Sequence, residues 1–236
     1  MRFEPPLIPA RLLRRYKRFL ADVELADGQR TTVHCPNTGA MLGCADPGMD
    51  VRLSRATNPE RKYPLTWELV EALPGVWVGI HTGRTNALVR EGLEDGTLRE
   101  LQGYARIQGE VTLGPGFRVD FVLSGHGRRP DCCLEVKNVT AAVQDGVALF
   151  PDAVSERASR HLRELMERVQ AGQRATLCFC VQRDDVHEVR PADAIDPTYG
   201  RTLREALAAG VEIIAYAARV NPEEARLYRQ VPVIIP

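Results

Sequence analysis

The sequence predicts a mixed α/β protein, α+β overall, in which a small β-barrel precedes a domain built on a mixed sheet. The first observation is that residues 1–85 divide into short β segments separated by turns rich in Gly, Pro, Asn and Asp. The second is that helix-like and strand-like apolar patterns alternate from residue 86 onward. We therefore expect two domains, covering residues 1–85 and 86–236.

The β segments of the first domain are short, and the loops between them are irregular. One short helix is also predicted, at LTWELVEAL. About five strands joined by irregular loops are typical of a small barrel, for which an OB-like barrel is the natural candidate. Barrels of this kind commonly bind nucleic acid, although a fold alone does not establish a function. The segments predicted as strands are KRFLADVEL, RTTVHCP, DVRLSRA and GVWVGIH.

The second domain begins with a helix near Asn86, which three successive strands follow. A longer helix comes next, because apolar residues from Ala158 to Val169 recur at helical spacing and Gly172 provides a stop. A buried strand, a helix and a final strand complete the order α-β-β-β-α-β-α-β, which indicates a mixed sheet. The strands and last helix correspond to ARIQGEVTL, FRVDFVL, CCLEVKNV, ATLCFCVQR, YGRTLREALAAG and VEIIAYAARV.

Composition and cysteine usage are those of an ordinary globular protein. Hydrophobic residues make up 44% and charged residues 26% of the 236 residues, so a sizeable core can form. No apolar run reaches the roughly 18–20 residues that span a membrane, and the first residues lack a signal-peptide pattern. Six cysteines without a CxxC pair favour reduced, buried thiols over a zinc site. We expect a cytoplasmic protein without membrane contact.

Positive charge is concentrated in one segment, although 31 Lys and Arg balance 31 Asp and Glu in the whole chain. In the segment from Arg11 to Arg18, five of the eight residues are basic and one is tyrosine. A charge run is usually a solvated surface, but basic side chains around an aromatic ring also suit a nucleic-acid backbone and its bases. The loop segment RKYPLTW repeats the pattern. The predicted nucleic-acid contacts are Arg11, Arg14, Arg15, Tyr16, Lys17, Arg18, Arg61 and Lys62.

Three charged residues lie in the middle of a predicted hairpin formed by FRVDFVL and CCLEVKNV. In a symmetric hairpin centred between residues 127 and 128, Asp120 faces Glu135, and Lys137 lies two residues farther along the same face. Two adjacent carboxylates repel each other unless a positive charge lies between them, and Mg²⁺ is a cation that carboxylates bind. The pattern predicts a metal-dependent phosphodiesterase site. The alternative is a solvated face of an exposed sheet.

The motifs around these residues resemble a known family. RVDF followed by LEVKNVT resembles the core of the PD-(D/E)xK nuclease superfamily, although Val119 stands where the superfamily name has Pro. More closely, the chain resembles the sugar fermentation stimulation protein family of bacteria and archaea, in stretches that run from Tyr16 to Tyr216. These stretches are RYKRFLADV, HCPNTGAM, RKYPLTWELV, RVDF, RPDCCLEVKNVT, FPDAVSERASRHLREL and GVEIIAY.

The resemblance implies an OB-like barrel joined to a PD-(D/E)xK nuclease-like domain, largely non-specific DNA binding, and a role in regulating sugar (maltose) metabolism. The fold also suggests nuclease activity with Mg²⁺ or Mn²⁺ as cofactor. Matched by position, Asp120 and Glu135 would be the metal carboxylates and Lys137 the catalytic lysine. The superfamily often adds an acidic residue from the first helix, where Glu91 stands, and Glu110 on the strand before Asp120 is the alternative.

Arg157 and His161 are four residues apart near the start of the helix that follows Lys137, so they lie on one stripe of that helix. A helix N-terminus favours phosphate. Both side chains are therefore predicted to contact a nucleic-acid phosphate near the metal, and the alternative is a solvated helix edge.

Two functions fit these observations. One is a Mg²⁺- or Mn²⁺-dependent nuclease, which the intact set of Asp120, Glu135 and Lys137 favours. The other is a DNA-binding regulator whose nuclease-like domain serves only as a scaffold, which the family's description as a DNA binder favours. Binding of RNA by the barrel is a weaker third alternative. No recognition helix or base-reading motif stands out, so no sequence specificity is predicted.

Overall fold

The first domain is a β-barrel in the computed structural model, which describes residues 1–58, 60–114, 116–144 and 146–236 and omits the side chains of residues 142–144. Its strands within these residues are β1 (Ile8–Tyr16), β2 (Leu20–Leu25), β3 (Arg30–His34), β4 (Asp50–Arg55), β5 (Leu65–Leu73) and β6 (Val76–Gly79).

The barrel is closed by one parallel contact. Strand β1 pairs with β2 and β4, β2 with β3, and β4 with β5, all antiparallel. His34 of β3 then pairs with Thr66 of β5 in parallel, which completes a ring in the order β1-β2-β3-β5-β4. Strand β6 extends the sheet beyond β5. The predicted OB-like barrel is confirmed. Its core contains the fully buried side chains Leu12, Val23, Val33, Leu53 and Trp67.

The segment LTWELVEAL is strand β5, and the helix predicted there is wrong. Its first six residues are all buried, because the barrel and the second domain cover the strand together. Trp67 and Val70 pack in the barrel core, whereas Leu69 packs with Leu88 and Val89 of the second domain. A strand buried on both faces loses the polar–apolar alternation that identifies strands, so its sequence also fits a buried helix.

The second domain is a mixed sheet with helices packed on both faces. Its elements are α1 (Thr85–Glu94), β7 (Arg106–Gly114), β8 (Phe117–Ser124), β9 (Cys132–Val139), β10 (Ala142–Gln144), β11 (Val147–Phe150), α2 (Glu156–Gln170), β12 (Arg174–Val181), β13 (Glu188–Pro191), α3 (Pro197–Ala208), β14 (Glu212–Val220) and β15 (Ala225–Gln230). The sheet order is β15-β14-β12-β9-β8-β7. Strand β12 runs parallel to β9 and β14, and the other neighbours are antiparallel, so the predicted mixed sheet is confirmed.

Four strands of the second domain were not predicted. Strands β10, β11 and β13 form a separate small sheet and have only three or four residues each, too few to show an alternating pattern. Strand β15 is the edge of the main sheet, and its sequence ARLYRQ mixes apolar and charged residues as an edge strand does. Edge and very short strands are stabilised mainly by their neighbours, so their own sequences carry a weak signal.

Helices α2 and α3 begin at side-chain caps. Ser155 accepts the backbone N–H of Ala158 at the start of α2, and Asp196 accepts that of Tyr199 at the start of α3. Asp196 also accepts the N–H of Ser155 at 2.9 Å, so one carboxylate holds the first turns of both helices together. No helix in the described part of the chain is long and apolar enough to cross a membrane.

The β3–β4 loop of the barrel contacts the second domain on the side where α2 begins. The backbone N–H of Met41 donates to Asp152 Oδ2 at 2.9 Å, and Cys44 Sγ donates to the carbonyl of Thr140 at 3.7 Å. At the other end of the contact, Gly79 of β6 donates to the carbonyl of Gln182 at 2.9 Å. The barrel therefore has a fixed position beside the end of β9.

All six cysteines are buried and free, as predicted for reduced structural thiols. Burial raises the pKa of both Cys44 and Cys132 to about 11, so these thiols are protonated at neutral pH.

Candidate functional site

Strands β8 and β9 pair in the predicted register and separate at the candidate site. The last ladder pair described on this side is Phe121 with Leu134, so Asp120 and Glu135 are the next residues along their strands. Asp120 Oδ2 accepts the backbone N–H of Val136 at 2.7 Å. The Asp120 side chain therefore bonds to the β9 backbone beyond that pair, and the two carboxylates lie where the strands part.

Glu135 is buried, and its two oxygens have different surroundings. Oε1 accepts hydrogen bonds from the Lys137 ammonium, at 2.7 Å, and from His161 Nδ1. Oε2 is buried without a hydrogen-bond partner among the described residues. Burial raises the pKa of Glu135, but the bonds and charges of His161 and Lys137 outweigh it, so the pKa lies below the ordinary value. Glu135 is therefore an ionised carboxylate, and one of its oxygens has no partner in the described part of the chain.

The pKa of Asp120 is shifted in the opposite direction to that of Glu135. Its Oδ1 accepts Asn86 Nδ2 at 2.9 Å, while Oδ2 is bonded to Val136. Burial raises the pKa of Asp120, and the charge of Glu135 raises it further, so the pKa lies above the ordinary value despite these hydrogen bonds. Two neighbouring carboxylates whose pKa values move apart are typical of sites that bind a cation or share a proton.

His161 positions Glu135 and is not free for a phosphate. Its ring is buried, and Arg157 Nε donates to its Nε2 at 3.3 Å. Because a guanidinium can only donate, Nε2 must accept, and Nδ1 carries the hydrogen that is donated to Glu135. Both ring nitrogens are thus used inside the protein, which differs from the phosphate contact predicted for His161. The Arg157 side chain is exposed beyond this bond, and its phosphate contact stays a prediction.

Glu110 lies in the same row as Asp120. Its neighbours Gly109 and Val111 pair with Phe121 and Val119, which places Glu110 across from Asp120 between β7 and β8. Its backbone has a φ of 58°, a left-handed conformation that is uncommon for a residue other than glycine. The amide of Asn86 donates to Glu110 Oε1 at 3.0 Å as well as to Asp120, so one side chain connects the two carboxylates.

The Glu91 side chain faces away from Asp120 and Glu110. Its carboxylate accepts two hydrogen bonds from the amino terminus of Met1, at 2.7 and 2.9 Å. Five residues correspond to about 140° around a helix, so Glu91 and Asn86 lie on different sides of α1. Of the two acidic residues that the sequence left as alternatives, the structure brings Glu110 to Asp120 and places Glu91 at the chain terminus.

The donor atoms fit a hard divalent cation that also keeps water or substrate oxygen in its coordination sphere. Asp120 and Glu135 supply oxygen ligands from adjacent strands, and Glu135 Oε2 is a buried acceptor with no other partner in the described residues. No group of three His, Cys, Asp or Glu side chains converges in the part of the chain that is described. Mg²⁺ is commonly bound by one or two carboxylates plus waters and phosphate oxygens, so two protein carboxylates are sufficient.

The basic segment of β1 is partly engaged within the barrel. Arg14 Nε donates to Asp22 Oδ2 at 2.8 Å, and its guanidinium covers the ring of Tyr16, whose hydroxyl also donates to Asp22. Arg15 is structural, since its Nη2 donates to three backbone carbonyls. The predicted contacts that are exposed here are Arg11, Arg14, Lys17 and Arg18, of which Arg14 is paired with Asp22.

The second basic segment lies next to the first. Arg61, in the β4–β5 loop, contacts His34 Nδ1 through Nη2 at 3.2 Å, and Lys62 beside it lies over the ring of Tyr63. His34 pairs in turn with Leu20 at the start of β2. The β1–β2 tip and the β4–β5 loop are therefore neighbours across His34, and together they form an exposed positive surface. Loops at these two places in OB barrels bind oligonucleotides.

Two residues with contacts at these surfaces had no role in the sequence analysis, Asn86 and His34. A polar residue in the first turn of a helix that packs on the sheet is the signal that could have identified Asn86. His34 has no such signal, because its contact with Arg61 depends on the closure of the barrel.

Two family models together match most of the chain. The description "Sugar fermentation stimulation protein RE domain" matches residues 83–224, and "SfsA N-terminal OB domain" matches residues 13–80. The chain belongs to the SfsA family. An SfsA homologue from Alkalilimnicola ehrlichii is 57% identical over 100% of both chains, and one from Halorhodospira halophila is 61% identical over 94% of this chain and 92% of its own.

A solved SfsA structure has the same fold throughout. It is described as Pyrococcus furiosus SfsA in complex with Ca²⁺, and it superimposes with a TM-score of 0.88 at 26% sequence identity. The match covers 100% of this chain and 98% of the other. The barrel and the mixed-sheet domain thus recur together in a distant SfsA protein.

Proposed function

We propose that this SfsA protein binds nucleic acid, in the first place DNA without sequence preference, and hydrolyses phosphodiester bonds with Mg²⁺ or Mn²⁺ at Asp120 and Glu135. The observation that carries the proposal is Glu135 Oε2, a buried carboxylate oxygen that has no partner in the described residues. An unpartnered buried oxygen of an ionised group is costly. A cation beside Asp120 would satisfy it and remove the repulsion between the two carboxylates.

Each neighbouring side chain has a defined part in this proposal. A bound divalent cation would neutralise charge on the phosphate and lower the pKa of a bound water. Lys137 uses one of its three N–H groups on Glu135, which leaves two for a phosphate oxygen or an attacking water. His161 and Arg157 hold the Glu135 carboxylate in its orientation, and Asn86 holds Asp120.

The Ca²⁺ named for the Pyrococcus furiosus protein supports a cation in this chain as well. Ca²⁺ and Mg²⁺ are both hard cations that bind carboxylate, carbonyl and water oxygens, so a family member that holds one has the donor type for the other. We extend this to Asp120 and Glu135 as a proposal.

Nucleic-acid binding is proposed for the positive surface of the barrel. Lys17, Arg18 and Lys62 are exposed there, and none of them forms a salt bridge among the described residues. Arg11 is exposed farther along β1, where it pairs with Glu24 of β2 and Asp50 of β4. Phosphates bind such side chains with release of counterions and without reading the base sequence. A regulatory role in sugar (maltose) metabolism, which the family name suggests, would act through this binding.

One observation favours a non-catalytic function. Lys137 and His161 both bond to Glu135 Oε1, so the described side chains already neutralise this carboxylate without a cation. In that case the polar cluster would only stabilise the sheet, and the protein would be a DNA-binding regulator that uses the nuclease-like domain as a scaffold.

The decisive experiment combines cleavage with binding. Purified protein is incubated with single- and double-stranded DNA and RNA in Mg²⁺, Mn²⁺ or EDTA. Asp120→Asn and Lys137→Met test the site, and Asp131→Asn, which changes a carboxylate in the turn of the same hairpin, is the matched control. Cleavage that requires the metal, is lost in both site variants and is kept in the control supports the nuclease. Binding without cleavage in every protein supports the scaffold. Absence of binding rejects both functions.

A further inference from the structure

The tip of the β1–β2 hairpin exposes an aromatic ring between positive charges. Phe19 is 46% exposed, and the two residues before it, Lys17 and Arg18, are both exposed. Their φ angles are 51° and 64°, left-handed values that glycine or asparagine adopts much more easily. Two long basic side chains at such positions suggest that the side chains themselves are used.

The tip is held rigidly. Arg15 Nη2 donates to the carbonyl of Arg18 at 2.7 Å and to those of Asn37 and Gly39 at 2.8 Å each. The N–H of Cys35 donates to the carbonyl of Phe19 at 2.8 Å. The exposed ring is thus presented from a fixed backbone, so little order has to be gained on binding.

The β3–β4 loop, which contains Asn37 and Gly39, connects the tip to the candidate metal site. Two residues after Gly39, the Met41 N–H bonds to Asp152, which lies just before helix α2. Helix α2 carries Arg157 and His161, and these orient Glu135. A strand that contacts the tip therefore lies on the side of the molecule where α2 begins.

The neighbouring aromatic residue cannot replace Phe19. The Tyr16 ring lies under the Arg14 guanidinium at 5.1 Å, and its hydroxyl is bonded to Asp22. Phe19 has no ring contact of this kind in the described residues. Its face is available to a flat partner.

We propose that Phe19 stacks on a base of a single-stranded nucleic acid whose phosphates are bound by Lys17 and Arg18. The inference rests on the proposed nucleic-acid binding and specifies its substrate as a single strand. Bases within a duplex are already stacked on both sides, so an exposed ring gains its partner only from an unpaired, unstacked base. The stacking is tolerant of sequence because every base has a π-face.

The test compares single- and double-stranded binding. Affinities of wild type, Phe19→Ala and Leu73→Ala for a labelled dT oligonucleotide and for a duplex are measured by fluorescence anisotropy in EDTA. Leu73 is also an exposed apolar side chain, 55% exposed at the end of β5, and is the matched control. Phe19→Ala should weaken single-strand binding by about 5- to 100-fold and duplex binding by less than about twofold. Leu73→Ala should change neither.

A second variant allows the stacking to be measured by tryptophan fluorescence. Phe19→Trp should bind the dT oligonucleotide as tightly as wild type and show tryptophan quenching beyond that of the native Trp67 and Trp77. Wild-type single-strand affinity in Phe19→Ala, an equal loss for both nucleic acids, or an unquenched Phe19→Trp would each overturn the inference while the proposed binding function stands. Failure of wild type to bind either nucleic acid would overturn both.

Discussion

His161 donates its Nδ1 hydrogen to Glu135 Oε1 while its Nε2 accepts from Arg157. A residue that looked from the sequence like a phosphate contact is therefore a support for a carboxylate. In metal sites such supporting residues orient the ligands and tune their basicity. The arrangement leaves Oε2 of Glu135 as the atom available for a cation.

Removing the support of Glu135 should weaken metal binding. His161→Phe keeps a planar ring but cannot donate to Oε1, so we expect Mn²⁺ affinity to fall by about 10- to 100-fold. Titration calorimetry measures the affinity, and His187→Gln, which changes an exposed histidine, is the control. Unchanged affinity in His161→Phe would show that Glu135 is not a ligand or does not need this support.

The metal-free protein should be destabilised by Asp120. Its pKa is raised in the folded state, first by burial and then by Glu135, so the ionised form lowers the free energy of unfolding at neutral pH. Because both Asp120 oxygens also accept hydrogen bonds, which Asn cannot do, the comparison is made across pH: metal-free wild type should lose stability relative to metal-free Asp120→Asn as the pH rises from acid to neutral. Mn²⁺ at 100 times its Kd should then stabilise wild type by about 2.7 kcal/mol, a shift of about 5–10 °C, and leave the variant unchanged. Calorimetry with and without EDTA checks both statements; equal shifts in the two proteins would contradict the site.

The ion pair between the buried Glu68 and the partly exposed Arg84 should make stability depend on pH. Arg84 donates to both oxygens of Glu68 at 2.9 and 3.1 Å, and Ser54 donates at 2.6 Å. Burial raises the pKa of Glu68, but the Arg84 bonds, the charge of His81 and the Ser54 bond outweigh it, so the pKa lies below its ordinary 4.5. Because the folded state binds the proton less readily, this stability is present above pH 4.5 and lost as pH falls below it toward the folded-state pKa.

Glu68→Gln tests this dependence. The variant should be less stable at pH 7 by about 1–3 kcal/mol, since Arg84 loses an ionised acceptor, and its stability should fall less steeply below pH 4.5. Urea unfolding from pH 3 to pH 7 gives the slopes. Glu71→Gln, on the same strand but outside the pair, should keep the wild-type slope. Parallel slopes for wild type and Glu68→Gln would refute the assignment.

Phosphate contacts should appear in the salt dependence of DNA binding. Lys17→Ala with Arg18→Ala removes two exposed charges, so the slope of log affinity against log salt should become shallower by about 1.4–1.8. Arg201→Ala, an exposed arginine on α3, is the control and should leave the slope unchanged. Anisotropy titrations at several NaCl concentrations supply the slopes. An unchanged slope in the double variant would place the nucleic acid elsewhere on the protein.

The sequence by itself determined the features that depend on neighbours along the chain. The hairpin register that places Asp120 beside Glu135 follows from the turn between β8 and β9, and the helix α2 follows from its apolar spacing and its Gly172 stop. Barrel strands β2, β3, β4 and β6 and the mixed sheet were predictable for the same reason, because turn residues and apolar periods are local signals, whereas β1 was not predicted.

Tertiary structure decided the rest. LTWELVEAL became a strand because two domains cover it, and local preference for a helix does not outweigh that burial. Glu110 lies opposite Asp120, and Glu91 instead binds an amino terminus that is 90 residues away in the sequence. His161 reaches Glu135 across 26 residues. Such pairings depend on where distant segments meet after folding, which no pattern within a single segment specifies.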